Sequence, residues 1–182
     1  MKQLVVIDCQ NDFISGSLAC INANEAVDYI VETIKQYPDL EVFYSLDWHS
    51  ENNKSFERNG GIWPDHCVQN TYGAQLSNRF FELPLEQQPN SHNMFFKGED
   101  DEIEEYSAIH AKNIYGEVLI DLIEPEAYIA GIASEYCVRE TVFEALDQVK
   151  FKVIEEGLGY VAQDTHQQVL EEYQEIDALV KA

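Results

Sequence analysis

The sequence predicts an alternating α/β chain with a mostly parallel sheet covered on both faces. Short β-branched apolar runs recur along it, as at residues 4–7, 40–46 and 151–154. Stretches between such runs repeat apolar residues at helical spacing, and the link from the first run to the second suits a parallel crossover rather than a hairpin.

In chain order, residues 4–7 lead into Asp8. Asn24 then offers a cap for a helix whose apolar positions are Val27, Ile30, Val31 and Ile34, closed by Pro38. Residues 40–46 read as the second strand and end at Asp47. Residues 48–72 are rich in Asn, Gly and Pro without lasting periodicity, and so long a loop is more often functional than idle. A short helix is expected over 74–81, a polar connection between Pro84 and Pro89, and a strand at Met94, Phe95 and Phe96 leading into Lys97 and Gly98.

The run GEVLIDLI (116–123) fits a strand or a buried helical turn, and the alternation favours the helix because another strand follows at Ala127. Residues 127–144, AYIAGIASEYCVRETVFE, pass from a buried-strand run to helical spacing across Ser134, Glu135, Tyr136 and Cys137. Ser134 is the expected cap of a helix to about Val149, with Val138, Val142, Ala145, Leu146 and Val149 inward. Residues 151–154 form the next strand, Asp164 or Thr165 starts the last helix, and 176–180 end the chain as a short strand. No repeat or linker divides residues 1–182, so one domain is expected.

A chain of 182 residues with 45% hydrophobic content can bury about 70% of its unfolded surface unaided. No stretch is apolar enough to span a membrane, and MKQLVVIDCQ enters a strand without a signal pattern, so a cytoplasmic protein is expected. The four cysteines lack framework spacing, which argues for reduced thiols. A net charge of -23 with only 11 Lys and Arg argues against nucleic acid, whose phosphates need cations. The acidic run EDDEIEE (99–105) lacks the spacing and glycine of an EF-hand and reads as a solvated loop.

Asp8, Asp47, Lys97 and residues 134–137 all map to the carboxyl edge of the sheet, where such folds bind ligands. Cys137 falls at a strand-to-helix turn, where unpaired N–H groups and the helix dipole favour thiolate and can hold an oxyanion. The plain alternative is a small core cysteine. Asp8 can accept a thiol proton, and Lys97 can hold both charges; singly they would read as turn and rim residues. Asp47 and His49, two apart in extended chain, point to the same side, and His66 of WPDHCV can supply a third donor. One carboxylate and two imidazoles suit zinc, manganese or iron, against the plainer reading of a hydrogen-bonded turn. Phe13, Trp63 and Tyr106 would make a slot for a flat ring, unless they are satellite core.

Together, DCQNDF (8–13), DWH (47–49), WPDHCV (63–68), FKG (96–98) and GIASEYCV (131–138) resemble the nicotinamidase/pyrazinamidase branch of the isochorismatase-like cysteine hydrolases. The resemblance implies a three-layer α/β/α sandwich of about six strands, Cys137 as nucleophile, Asp8 as general base and acid, and Lys97 completing a triad. It implies one divalent ion, zinc in the first instance, at Asp47, His49 and His66, coordinating the ring nitrogen of nicotinamide. It further implies a ring pocket of Phe13, Leu18, Trp63 and Tyr106, a cis Ile132–Ala133 bond, and an oxyanion held by the Ala133 and Cys137 N–H groups. Two positions depart from the pattern. Asn53 stands where many members carry a further metal-binding histidine, leaving Glu57 or water to complete the shell, and Ile109 and His110 follow Tyr106, Ser107 and Ala108 where an aromatic is usual.

The implied partner is a small molecule, with a homo-oligomer left open. The competing readings are a metal-free isochorismatase-like or ureido-type amidohydrolase with the same triad, and a non-catalytic binding module. A dinucleotide oxidoreductase ranks last, because no G-x-G-x-x-G follows the first strand.

Overall fold

Every residue of β1 (Gln3–Ile7) is buried, which requires a strand covered on both faces. In the computed structural model, which describes residues 1–181, the chain continues through α1 (Asn11–Ile14), α2 (Ala23–Gln36), β2 (Glu41–Asp47) and β3 (Met94–Lys97). It then forms α3 (Leu119–Leu122), β4 (Glu126–Ile132), α4 (Cys137–Glu144), β5 (Lys150–Gly159), α5 (Gln163–Glu175) and β6 (Leu179–Val180). The strands make one six-stranded sheet in the order β3-β2-β1-β4-β5-β6, and every pairing is parallel.

Alternation along β1 builds the layers. Leu4 and Val6 face a core with Val27, Ile30, Val31 and Ile34 of α2, whose apolar positions at helical spacing form one stripe. Val5 and Ile7 face the opposite core, with Val138 and Val142 of α4 and Val169, Leu170 and Tyr173 of α5. The result is the expected α/β/α sandwich.

The chain builds outward from β1 in one direction, then returns to build outward from β4 in the other. The crevice beyond the carboxyl ends of β1 and β4 is therefore the switch point, where this class of sheet leaves room for ligands. Ile7 pairs with Gly131 there. A Cβ at Gly131, which has φ +130, would lie 2.2 Å from the Ile7 carbonyl oxygen, so only glycine lets the strands meet at that register.

Several local expectations change. Ser134 does not cap α4: its hydroxyl is held by His166 at 2.7 Å, and Tyr136 occupies the cap position without a side-chain bond. The helix ends at Glu144 rather than near Val149. Ala145 and Val149 stay buried as the chain turns into β5, but Leu146 is exposed. Asn22, in the left-handed region, occupies the cap position of α2 in place of Asn24, and α5 begins at Gln163. The helix expected over 74–81 is two 3-10 turns, Tyr72–Ala74 and Asn78–Glu82. Only Leu119–Leu122 of the GEVLIDLI run is helical, because Val118 is engaged in a bridge with Lys112. The final strand is confined to Leu179–Val180, whereas β5 runs to Gly159 through a register shift in its pairing with β4.

All four cysteines are free, as expected. Among the described residues, no helix is long and apolar enough to cross a membrane. Ile129 is fully buried in β4. Ile129→Ala is expected to lower unfolding free energy by about 2–5 kcal/mol, read from denaturant titration, and a loss under 1 kcal/mol would contradict this account of the core.

Candidate active site

Asp8, at φ +49, follows β1, Lys97 closes β3, and Cys137 opens α4 after the turn from β4. The structure brings the three together. The Lys97 ammonium is fully buried, 3.0 Å from Asp8 Oδ2 and 3.5 Å from Cys137 Sγ. It also ion-pairs with Asp47 Oδ1 and donates to the Glu105 carbonyl at 3.2 Å. A carboxylate oxygen of Asp8, one of Asp47 and Cys137 Sγ lie within 4.8 Å of one another. Ser45 donates to Asp8 Oδ1 at 2.7 Å, whereas the buried Oδ2, despite its ion pair, has no hydrogen bond of proper geometry. That oxygen keeps acceptor capacity for a thiol proton.

Burial raises the Asp8 carboxyl above its ordinary value against the pull of Lys97, with Asp47 adding to the rise. Burial also pushes the Cys137 thiol well above its usual range; Lys97 opposes this, and Asp8 and Asp47 reinforce it. This corrects the expectation that the helix terminus favours thiolate at rest. The shift runs upward because desolvation exceeds the pull of Lys97, so a base beside the thiol is needed to form the thiolate.

Ser134 N–H donates to Gly159 O at 2.8 Å, and the N–H groups of Tyr136 and Val138 both donate to Ala133 O at 3.1 Å. Among the described residues, the N–H groups of Ala133 and Cys137 have no protein acceptor. The Ile132–Ala133 bond is cis.

On the other side of Lys97, Asp47 Oδ2 lies 3.6 Å from His49 Nε2 and 3.9 Å from His66 Nε2. His49 Nδ1 is 2.8 Å from the Gly98 carbonyl and His66 Nδ1 is 2.8 Å from that of Pro64. Each Nδ1–H is thus donated to the backbone, the tautomer that leaves a bare Nε2 lone pair, as metal-ligating histidines require. Burial works against the Asp47 charge, but Lys97 and the two imidazoles hold its carboxyl below the usual carboxylate range. The donor set fits one divalent metal ion. Phe56, fully buried, packs edge-on against both imidazoles at 5.6 and 5.3 Å.

Asn53 is buried and lines the cleft beside His49; its Nδ2 lies 3.3 Å from Gly98 O, the carbonyl that His49 also meets, and its Oδ1 accepts from Ser55 N at 2.9 Å. Glu57 is exposed and does not line the cleft. Ser55 does line it, and its buried hydroxyl has no hydrogen-bond partner, leaving a free polar atom near the donors.

The cleft has Phe13, Leu18, Trp63, Tyr106, Ala133 and Cys137 among its walls beside Asp47, His49 and His66. Every expected ring-pocket residue is present. Tyr136 adds a wall, its ring 5.2 Å from Trp63 and 5.6 Å from Tyr106. The acidic run is not merely solvated. Glu104 and Glu105 line the same cleft, and Glu104 accepts hydrogen bonds from Trp63 Nε1 at 3.0 Å and from the Tyr106 hydroxyl.

Sequence reasoning missed Ser45 and Gln10. Gln10 is fully buried; it donates to Asp47 O at 2.7 Å and accepts from Asp47 N at 2.9 Å. The available signal was a polar residue inside an apolar strand for Ser45 and an amide beside Asp8 for Gln10.

Residues 2–180 match the isochorismatase domain model. The chain belongs to the isochorismatase family. It is 34% identical to a nicotinamidase of Escherichia coli (strain K12) over 84% of this chain and 79% of that one. Its fold superposes on a pyrazinamidase of Pyrococcus horikoshii in complex with zinc at a TM-score of 0.81, 27% identity, covering 100% of this chain and 98% of that one. It superposes on the yeast nicotinamidase bound to the inhibitor nicotinaldehyde at 0.83 and 27% identity, covering 100% of both chains.

In this isochorismatase-family site, Gly98 has φ +74, and a Cβ there would lie 2.4 Å from His49 Cε1. Gly98→Ala is therefore expected to displace the imidazole and lower metal affinity about 10–100-fold, read by titration with Zn²⁺. His66→Ala is expected to lose bound metal in elemental analysis while keeping its far-UV spectrum; full occupancy would remove His66 from the donor set.

Proposed function

We propose that the chain hydrolyses nicotinamide to nicotinate and ammonia, with pyrazinamide as a second substrate, in NAD salvage. One observation carries this: the Cys137 sulfur and the Asp47, His49 and His66 donors open onto one aromatic-walled cleft, bridged from behind by Lys97. A nucleophile at one end and a cation site at the other match a small heteroaromatic amide.

Asp47, His49 and His66 would hold the ion, with zinc as its identity. When bound, the ion supplies a Lewis-acid ligand position for the ring nitrogen and so orients the ring. Phe13, Leu18, Trp63 and Tyr106 sandwich that ring. Asp8 accepts the Cys137 proton, and the sulfur attacks the carboxamide carbon. The N–H groups of Ala133 and Cys137 hold the resulting oxyanion, donors whose loss typically costs ~10²–10³ in rate. Asp8 then delivers its proton to the departing ammonia, leaving a thioester, and takes a proton from the water that cleaves it. Lys97 keeps the charge of the buried cluster compensated throughout. We further propose that residues 1–182 act as a single domain.

The test is ammonia release from nicotinamide and a small amide panel, with and without chelator. Nicotinamide turnover lost on chelation and restored by Zn²⁺ is expected; chelator-insensitive turnover of another amide would favour a metal-free relative. Cys137→Ala is expected to lower kcat about 10⁴-fold or more while nicotinamide still binds in calorimetry. Ammonia release at the parent rate would remove Cys137 as nucleophile and favour a binding module.

A further inference from the structure

The two oxyanion donors flank a residue that the chemistry does not use. Ser134 is fully buried and tied to the end of β5 and to α5 at three points. Its N–H donates to Gly159 O at 2.8 Å, its carbonyl accepts from the Tyr173 hydroxyl at 2.6 Å, and its hydroxyl meets His166 Nδ1 at 2.7 Å. The His166 ring is stacked on Tyr160, centroids 3.8 Å apart and planes 7° from parallel, so it cannot tilt without breaking that stack. A reciprocal latch closes the same joint: the Glu135 carboxylate accepts from Val161 N and Ala162 N, both at 3.0 Å, and from Thr165 Oγ1 at 2.9 Å.

We propose that His166 is a positioning residue for the hydrolysis: through the Ser134 hydroxyl it fixes the turn that aims the Ala133 and Cys137 N–H groups at the oxyanion. Oxyanion donors act by preorganisation, so a small rotation of the Ala133–Ser134 backbone costs rate without weakening ground-state ring binding. Burial lowers the pKa of His166 against the pull of Glu135 and Glu155, consistent with a neutral ring serving as a fixed polar contact. The inference rests on the proposed amide hydrolysis.

The test uses the metal-loaded protein and three variants, with nicotinamide turnover by the parent measured alongside, so that a silent parent counts against the proposed function and not against His166. In His166→Ala, kcat is expected to fall about 10-fold with KM within two-fold of the parent. His166→Asn, whose amide can reach the Nδ1 position, is expected to recover most of that loss. Ser134→Ala is expected to match His166→Ala, and the double variant to be no worse than either, since both remove one interaction.

Nicotinaldehyde supplies a readout that a merely structural role would not move. Addition of the Cys137 thiol to its carbonyl forms the S–C bond and opens the C=O π bond, with the thiol proton held by Asp8, so that the new alkoxide sits where the oxyanion forms. Inhibition by the aldehyde is expected to weaken by the same factor as kcat, with nicotinate affinity unchanged. Parent-like kcat in folded His166→Ala, additive losses in the double variant, or nicotinate and aldehyde affinities falling together would overturn the proposal.

Discussion

Everything in the cleft depends on one buried cation. Two carboxylates, Asp8 and Asp47, stand with the thiol inside a 4.8 Å cluster, and removing such charges from water costs several kcal/mol each unless they are paired. Lys97, itself without solvent exposure, answers both. Burial would lower its pKa, yet Asp47, Asp8 and Cys137 raise it well above the ordinary lysine value, so the ammonium stays charged. It also joins the two halves of the site, touching Cys137 Sγ on one side and the carboxylate of Asp47, a candidate metal donor, on the other.

The sheet determines where that cation stands. Lys97 pairs in register with Asp47 across β2 and β3, and Ile7, one residue before Asp8, pairs with Ser45 across β1 and β2 and with Gly131 across β1 and β4. Parallel pairing sends all these chain ends out of one edge. A slip of one residue in any pairing would turn the site side chains to the other face, so the glycine contact at the switch point supports the catalytic geometry as much as the core.

What the sequence made legible follows from which interactions are local. Strand ends, the Asp47–His49 spacing and the strand-to-helix passage at Cys137 are written in consecutive residues, and their motifs carried the family resemblance. The upward shift of the thiol was not readable: the helix terminus is visible in sequence, but the burial that raises the thiol, and the Asp8 and Asp47 carboxylates that add to it, come from the packing of β1 and β2 around it. Ser134 looked like a helix cap because its actual partner, His166, lies 32 residues later. The acidic run looked like solvated surface because nothing in EDDEIEE reveals that Glu104 meets Trp63, 41 residues away.

A raised carboxyl beside a raised thiol could look unsuited to proton transfer, but the pair exchanges a charge rather than creating one. In the proposed transfer of a proton from Cys137 to Asp8, one negative charge leaves a site 3.0 Å from Lys97 and appears at another 3.5 Å away. Desolvation penalises both anions alike, so it largely cancels in the difference that sets the transfer energy, although it raises each acidity taken singly. What remains is the change in local partners. Asp8 gives up the charged character of its Ser45 hydrogen bond, while the new thiolate sits at the start of α4, where the N–H ends of the first turn favour negative charge. The dipole argument for Cys137 therefore belongs to the moment of transfer, not to the resting enzyme.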